Sequence, residues 1–562
     1  MAIDSLSDRP TIQEIHTLYW KQDISVTDVV NYFLSKIRDT DSVYNSLLRI
    51  TEESALFEAA KLDKILQDYK SKSDYIINST EVSNEATPKI KLKTENPSWF
   101  DNLLSDYPLF GIPFVSKDNI LVENQKSTSA SLILENFTAP YSSEVYLRMS
   151  DAGAILVGQT NMDEFAFGSS TEKSAFQITH NPADVERVPG GTSGGSAAAV
   201  AAGFVPVALG SDTGGSIRQP SSFCGTVGMR PTYGTVPRFG VMASTSSFDQ
   251  VGPITNSVFD NALVLSILSG KADTDQTSIT NPNLTISNLE QEEGFNQFKQ
   301  YRLLQILFDL IEGFLNSHGF DTDLDDIALN YGYLAESAQK KITIGFPAEY
   351  FAEGLSPETR AKFADLYSKL SEKYEVKEVS LPLTKYTLSV YYILQTVEAA
   401  ANMERYDGVR FGKQSDSIDK ELFFSERGEY LGDEAKRRIM LGTYTSSAGY
   451  YDAYYNKACQ VRELIRQDFL KAFEEVDVLI TAVSPFPAFK IGSKNDDPMA
   501  MYLADIMTVT QPPSRLPALS VPIGNVNFEG SNLPVGAQLI GPEMSELTLY
   551  KLASQIEKID FN

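Results

Sequence analysis

Gly190-Gly191-Thr192-Ser193-Gly194-Gly195-Ser196, an alanine-rich run to Ala202, the apolar stretch Val205-Pro206-Val207-Ala208-Leu209 and then Gly210-Ser211-Asp212-Thr213-Gly214-Gly215-Ser216 follow one another in mid-chain. The run from Ser196 to Ala202, closed by Gly203, predicts a tightly packed helix. Residues 205–209 predict a strand that opens directly into the second glycine loop. Glycine loop, helix, strand and glycine loop in alternation point to an α/β layered core. Outward from there, residues 153–158, 341–347, 478–481 and 518–522 also predict strands. The apolar run 108–115 reads as a buried strand ending at Lys117. Near the start, Ser25-Val26-Thr27-Asp28 reads as a capping box. The helix it opens places Val26, Val29, Val30, Phe33, Leu34 and Ile37 on one face.

Composition narrows the function classes. The chain has 562 residues, 42% of them hydrophobic, which suffices for a large core. No apolar run reaches the roughly 18 residues that a membrane span needs. The first residues show no basic-then-apolar pattern, so no secretory signal is expected. Two cysteines, Cys224 and Cys459, make neither a disulfide framework nor a zinc site, and they predict a reduced, cytoplasmic protein with no metal. A net charge of −26 lacks the basic footprint of direct nucleic-acid binding. The nearest approach to a phosphate loop, residues 408–413, has the wrong spacing. Residues 71–98 read as a polar surface insertion in a single domain spanning 1–562. Residues 281–339 read as a second insertion, with an amphipathic helix over 301–315 and an acidic, solvated turn at 321–326.

The chain has three histidines, His16, His180 and His318, none in a catalytic-looking setting. A hydroxyl nucleophile is weak at its free pKa and needs a nearby base. A buried lysine can be that base, because desolvation disfavours its charged form. Lys117 fits, with Ser216 as nucleophile and a hydroxyl of Thr192 or Ser193 as proton relay. The glycines around Thr213, Gly214 and Gly215 let backbone N–H groups converge into an oxyanion hole. Read alone, such loops also bind phosphate or merely turn the chain. Cys224, the rival nucleophile, sits in an apolar segment where thiols are inert.

The two glycine runs, read through to Gly203 and to Ile217-Arg218-Gln219-Pro220, closely resemble the amidase signature family. Lys117-Asp118-Asn119-Ile120, Asn161-Met162-Asp163-Glu164-Phe165-Ala166-Phe167-Gly168-Ser169-Ser170 and Lys436-Arg437-Arg438-Ile439 support the likeness. Within that family the chain is most similar to the glutaminase subunits of tRNA-dependent amidotransferases. The resemblance implies a large mixed β-sheet core covered by helices on both faces. It implies Ser216 as acyl-enzyme nucleophile and Lys117 as general base and acid. Thr192 stands where the family has serine after a cis peptide; the hydroxyl is kept, but the added methyl stiffens χ1. Arg438 would meet the α-carboxylate of glutamine, Asp505 its α-ammonium, and Tyr391 would line the same pocket. No cofactor is implied in this chain, with ATP and magnesium on a partner subunit. The implied assembly is a heterotrimer with B and C subunits, which brings in the misacylated tRNA, Glu-tRNA(Gln) or Asp-tRNA(Asn). The alternatives are a free-standing amidase and a catalytically weak scaffold subunit.

Overall fold

The computed structural model describes residues 3–21, 24–73, 99–285, 342–351, 354–413, 422–494 and 498–561. Nearly all of both expected insertions, the 301–315 helix, the 321–326 turn and His318 lie outside these residues.

Eleven strands form one mixed sheet: β1 (Leu47–Ile50), β2 (Pro113–Lys117), β3 (Ile155–Thr160), β4 (Val207–Asp212), β5 (Val227–Arg230), β6 (Gln250–Thr255), β7 (Thr343–Pro347), β8 (Glu375–Val379), β9 (Val478–Ala482), β10 (Ala518–Phe528) and β11 (Ser531–Ile540). Their order is β1-β3-β2-β4-β6-β5-β10-β11-β9-β7-β8. β2 runs parallel to both β3 and β4, whereas β4 meets β6 antiparallel. The central strands β2, β3, β4, β5 and β6 are buried at every residue, as strands covered on both faces are, so they show no alternation of apolar and polar residues.

Two strand limits differ from the sequence expectation. β2 begins at Pro113, because the preceding residues turn through Gly111 at φ +66°. A Cβ on Gly111 would lie 2.6 Å from the Tyr19 hydroxyl, so only glycine fits. β4 starts at Val207 and continues through Gly210-Ser211-Asp212, because its ladder with β6 persists to the pair Asp212 and Gln250.

The helix over Gly194–Ala201 lies inside the protein, buried from Gly194 through Val200. A helix buried all round needs small side chains where it touches backbone. A Cβ on Gly195 would lie 2.4 Å from the Asn161 carbonyl oxygen. The Val26–Tyr44 helix opens with the expected capping box: Ser25 Oγ accepts from the Asp28 N–H (3.0 Å), and Asp28 Oδ2 accepts from the Ser25 N–H (3.1 Å). Its buried face is the expected one, Val26, Val29, Val30, Phe33, Leu34 and Ile37. On the other side of the glycine loops, helices Thr387–Met403 and Asp433–Ser446 pack against each other. Among the described residues no helix is long and apolar enough to cross a membrane.

Candidate active site

Lys117 is the last residue of β2 and is wholly buried. Its Nζ donates to Thr192 Oγ1 (2.6 Å), to Ser193 Oγ (2.9 Å) and to the Ser211 carbonyl (3.4 Å). These are the three donors of one ammonium. Burial drives its pKa down to about 7, against the opposing pull of Asp163, Asp212 and Asp249. A lysine so placed changes charge near neutrality, which suits proton transfer.

The two hydroxyls beside Lys117 differ. Ser193 Oγ donates to the Ser211 carbonyl (3.1 Å) and accepts from the Ser211 N–H (3.3 Å), so its proton is committed to the end of β4. Among the described residues Thr192 Oγ1 makes no such bond, and its proton remains available. The peptide bond ahead of Thr192 is trans, as are all others among the described residues. A cis non-proline bond would cost about 2.5–4 kcal/mol. The chain instead turns at Gly190 (φ +84°) and Gly191 (φ +42°).

Ser216 sits in the second loop, 7% exposed, and its carbonyl accepts from the Ser193 N–H (3.1 Å). The loop is held by Asp212, which is fully buried. Arg218 grips this carboxylate in a fork, Nε to Oδ2 and Nη2 to Oδ1, both 2.9 Å, and Arg230 Nη1 adds a third contact at 3.2 Å. Burial alone would raise its pKa; Arg218 and Arg230 outweigh burial and hold the carboxyl well below the usual range. Asp212 Oδ1 also accepts the Gly215 N–H at 3.0 Å. That bond occupies the Gly215 N–H, which the sequence reading placed in an oxyanion hole with Thr213 and Gly214. Thr508 Oγ1 pins the Gly214 carbonyl (2.7 Å), and Thr213 Oγ1 donates to Asp249 (2.6 Å), so both ends of this pair are tied down.

The three other sequence candidates approach the loops from separate elements. Arg438 lies on the buried face of the Asp433–Ser446 helix. Its Nε donates to Glu434 (2.7 Å) and its Nη1 to Gln395 (2.6 Å), and its guanidinium lies 4.7 Å and 5.1 Å from the ring centres of Tyr392 and Tyr502. Asp505 accepts from Gln219 Nε2 (2.9 Å) and from the Ser169 hydroxyl, and burial pushes its pKa up to about 7. A cavity of about 320 Å³ is lined by Ser169, Ser170, Glu164, Arg438, Met501 and Tyr502 among others. Arg438 is the one sequence candidate among its lining residues; Tyr391, Asp505 and Ser216 are not. Tyr391 lies against the second glycine loop. It stacks on Phe248 (5.7 Å, 16°), and a Cβ on Gly214 would lie 2.3 Å from its hydroxyl.

The remaining candidates stand apart. Cys224 is buried, its Sγ 3.5 Å from the Pro189 carbonyl, and burial pushes the thiol pKa far up. Such a thiol is not a nucleophile at neutral pH. His16 packs edge-on against Phe100, and His180 Nδ1 meets the Val185 carbonyl (2.6 Å).

Sequence reading passed over Glu434, Gln395, Ser169 and Gln219. Signals for them existed. Glu434 and Gln395 each stand four residues from a named candidate on one helix, the spacing that brings side chains together. Ser169 and Gln219 lie inside quoted motifs, but nothing in their spacing tells that they meet at Asp505.

The chain belongs to the amidase family, whose signature it matches over residues 98–299 and 313–550. It is 43% identical over 552 residues to the A subunit of a glutamyl-tRNA(Gln) amidotransferase from Geobacillus sp. (strain WCH70), covering 97% of this chain and 96% of that one. It is 41% identical over 558 residues to the Persephonella marina protein of the same name, covering 98% of each. The crystal structure of the corresponding glutamyl-tRNA(Gln) amidotransferase chain from Thermotoga maritima matches with a TM-score of 0.70 at 32% identity, covering 99% of this chain and 96% of that one. A bacterial aryl acylamidase at 21% identity shares the fold, with a TM-score of 0.73.

Proposed function

We propose that this chain is the glutamine-hydrolysing subunit of a tRNA-dependent amidotransferase. The observation that carries the reading is the contact of Lys117 Nζ with Thr192 Oγ1 at 2.6 Å, beside the loop that bears Ser216. Neutral Lys117 draws the Thr192 proton, and Thr192 takes the proton of Ser216. Ser216 Oγ bonds to the side-chain carbonyl carbon of glutamine. The oxyanion forms against the N–H groups of Thr213 and Gly214; losing one such donor typically costs about 2.7–4 kcal/mol of barrier. The proton held on Lys117 returns through Thr192 to the leaving nitrogen. The C–N bond breaks and ammonia departs. Water then attacks the acyl-enzyme by the same relay, which releases glutamate and restores Ser216.

Substrate choice rests on Arg438 and Asp505. Two Arg438 nitrogens are held by Glu434 and Gln395, which aims the rest of the guanidinium at an incoming carboxylate. Asp505 offers its charge to the α-ammonium. Tyr391, against Gly214, walls the reacting end. The relatives' naming as A subunits supports a multi-subunit enzyme; in the assembly proposed here B and C subunits complete it, with ATP, magnesium and the misacylated tRNA on the partner that consumes the ammonia. The mechanism proposed here uses only side chains and backbone of this chain. A cytoplasmic location accords with that role.

Ammonia release from glutamine by the full chain, alone and co-expressed with its partner subunits, tests the reading. Turnover of glutamine that rises with partners, with acetamide and aryl amides poor, is expected. Fast hydrolysis of simple amides with glutamine ignored would make this a free-standing amidase.

A further inference from the structure

Asp505 is joined to the first glycine loop by a closed ring of hydrogen bonds. The Gly191 N–H donates to two acceptors, Gln219 Oε1 at 2.6 Å and the Ser169 carbonyl at 3.1 Å. The same two residues donate onward to the carboxylate, Gln219 Nε2 to Asp505 Oδ1 at 2.9 Å and Ser169 Oγ to Oδ2. The second Gln219 amide proton goes to the Ala504 carbonyl at 3.2 Å. Gln219, Ser169 and Gly191 are all buried. The orientation of Gln219 is therefore forced: flipped, it would set NH2 against the Gly191 N–H and oxygen against a carboxylate. Gly191 adjoins Thr192 in sequence, and a Cβ placed on it would lie 3.2 Å from Ser216 Cα. A small shift of Asp505 is thus passed, through two rigid arms, to the backbone beside the relay and the nucleophile.

We propose that Gln219 and Ser169 are positioning residues that determine specificity: their ring makes turnover at Ser216 depend on an α-ammonium seated at Asp505. The inference rests on the function proposed above and deepens it. An amide without that ammonium then fails in kcat and not only in KM. An unsatisfied Asp505 pulls on Gln219 and Ser169, and Thr192 is held off line. A bound ammonium adds a third partner to the carboxylate, beside Gln219 and Ser169, and sets the loop.

The experiment compares glutamine with glutaramate, which is glutamine without its α-ammonium, in the full chain co-expressed with its partner subunits. Wild type, Gln219→Met and Ser169→Ala are assayed for kcat and KM with both. The ratio of kcat for glutamine to kcat for glutaramate is expected to fall by roughly 10- to 100-fold in Gln219→Met, the weight of one hydrogen bond to a charged group. Ser169→Ala, a milder change that keeps the backbone arm, shifts the ratio the same way. Gln219→Glu, which keeps the acceptor for the Gly191 N–H but sets a second carboxylate against Asp505, should lower the ratio at least as far as Gln219→Met, whereas a merely structural residue would change kcat for both substrates alike. A wild-type ratio retained in both variants, with only KM changed, would overturn the coupling, as would an equal loss of kcat for both substrates. Wild type that turns over neither substrate would overturn the proposed function and the coupling with it.

Discussion

Lys117 Nζ lies 2.6 Å from Thr192 Oγ1, and both side chains are wholly buried. With no solvent to share the proton, its position is decided by these two groups and the hydroxyl beside them. Lys117 stands at the end of β2 and Thr192 in the first glycine loop, so the sheet and the loop together set the distance.

The Lys117 pKa of about 7 gives the first prediction. Only the neutral amine accepts a proton, so kcat/KM should rise with pH through about 7 and then level off. Asp505, also near 7, must be ionised to bind an ammonium and acts in the same direction. Glutaramate has no ammonium, so its profile isolates Lys117. A flat glutaramate profile from pH 5.5 to 8.5 would contradict the assigned base.

Thr192→Val keeps the shape and removes the hydroxyl. We expect glutamine kcat to fall by about 10²–10⁴, the usual weight of a positioned proton-transfer group. Thr192→Ser should retain most activity. Ser193→Ala loses an anchor for Lys117 but not a relay proton, so its loss should be smaller than that of Thr192→Val in the same assay.

Arg438→Met should raise the KM for glutamine strongly while the fold survives. Truncating one partner of a buried charge pair typically costs about 2–5 kcal/mol, but Glu434 keeps Arg437 and the Tyr502 hydroxyl as partners, so the fold should tolerate the change. An unchanged KM by steady-state ammonia release would remove Arg438 from the carboxylate role.

Asp212→Asn should lower both stability and activity. Breaking a buried ion pair costs about 3–5 kcal/mol, and here two arginines would be stranded. The carboxyl has a folded pKa below its unfolded value, so its stabilising contribution is full above about pH 4, the unfolded value, and is lost as pH falls below that. Thermal unfolding at pH 7 should show a large loss for the variant, and the gap to wild type should narrow as the pH is lowered below 4.

Cys224→Ala should leave glutamine turnover intact, since the thiol is buried and protonated. Loss of turnover in a variant with an unchanged melting temperature would bring back the cysteine as nucleophile.

Local chemistry was legible in the sequence. The capping box at Ser25 and the buried face from Val26 to Ile37 follow from helical period and capping, which act within a few residues. The strands around the glycine loops, and the roles open to Lys117, Thr192 and Ser216, follow from residue type, because a buried lysine can serve as base where none of the three histidines stands in a catalytic-looking setting. What needed the tertiary structure was every relation across the chain. Whether the Gly215 N–H faces a substrate or Asp212 depends on Arg218 and Arg230 charging that carboxylate from different elements. That Ser193 has spent its proton on Ser211, leaving Thr192 the free one, depends on where β4 ends. The ring from Gly191 through Gln219 and Ser169 to Asp505 joins residues more than 300 positions apart. Hydrogen bonds require contact within about 3 Å, and only the packing of the sheet and its helices brings such distant residues that close.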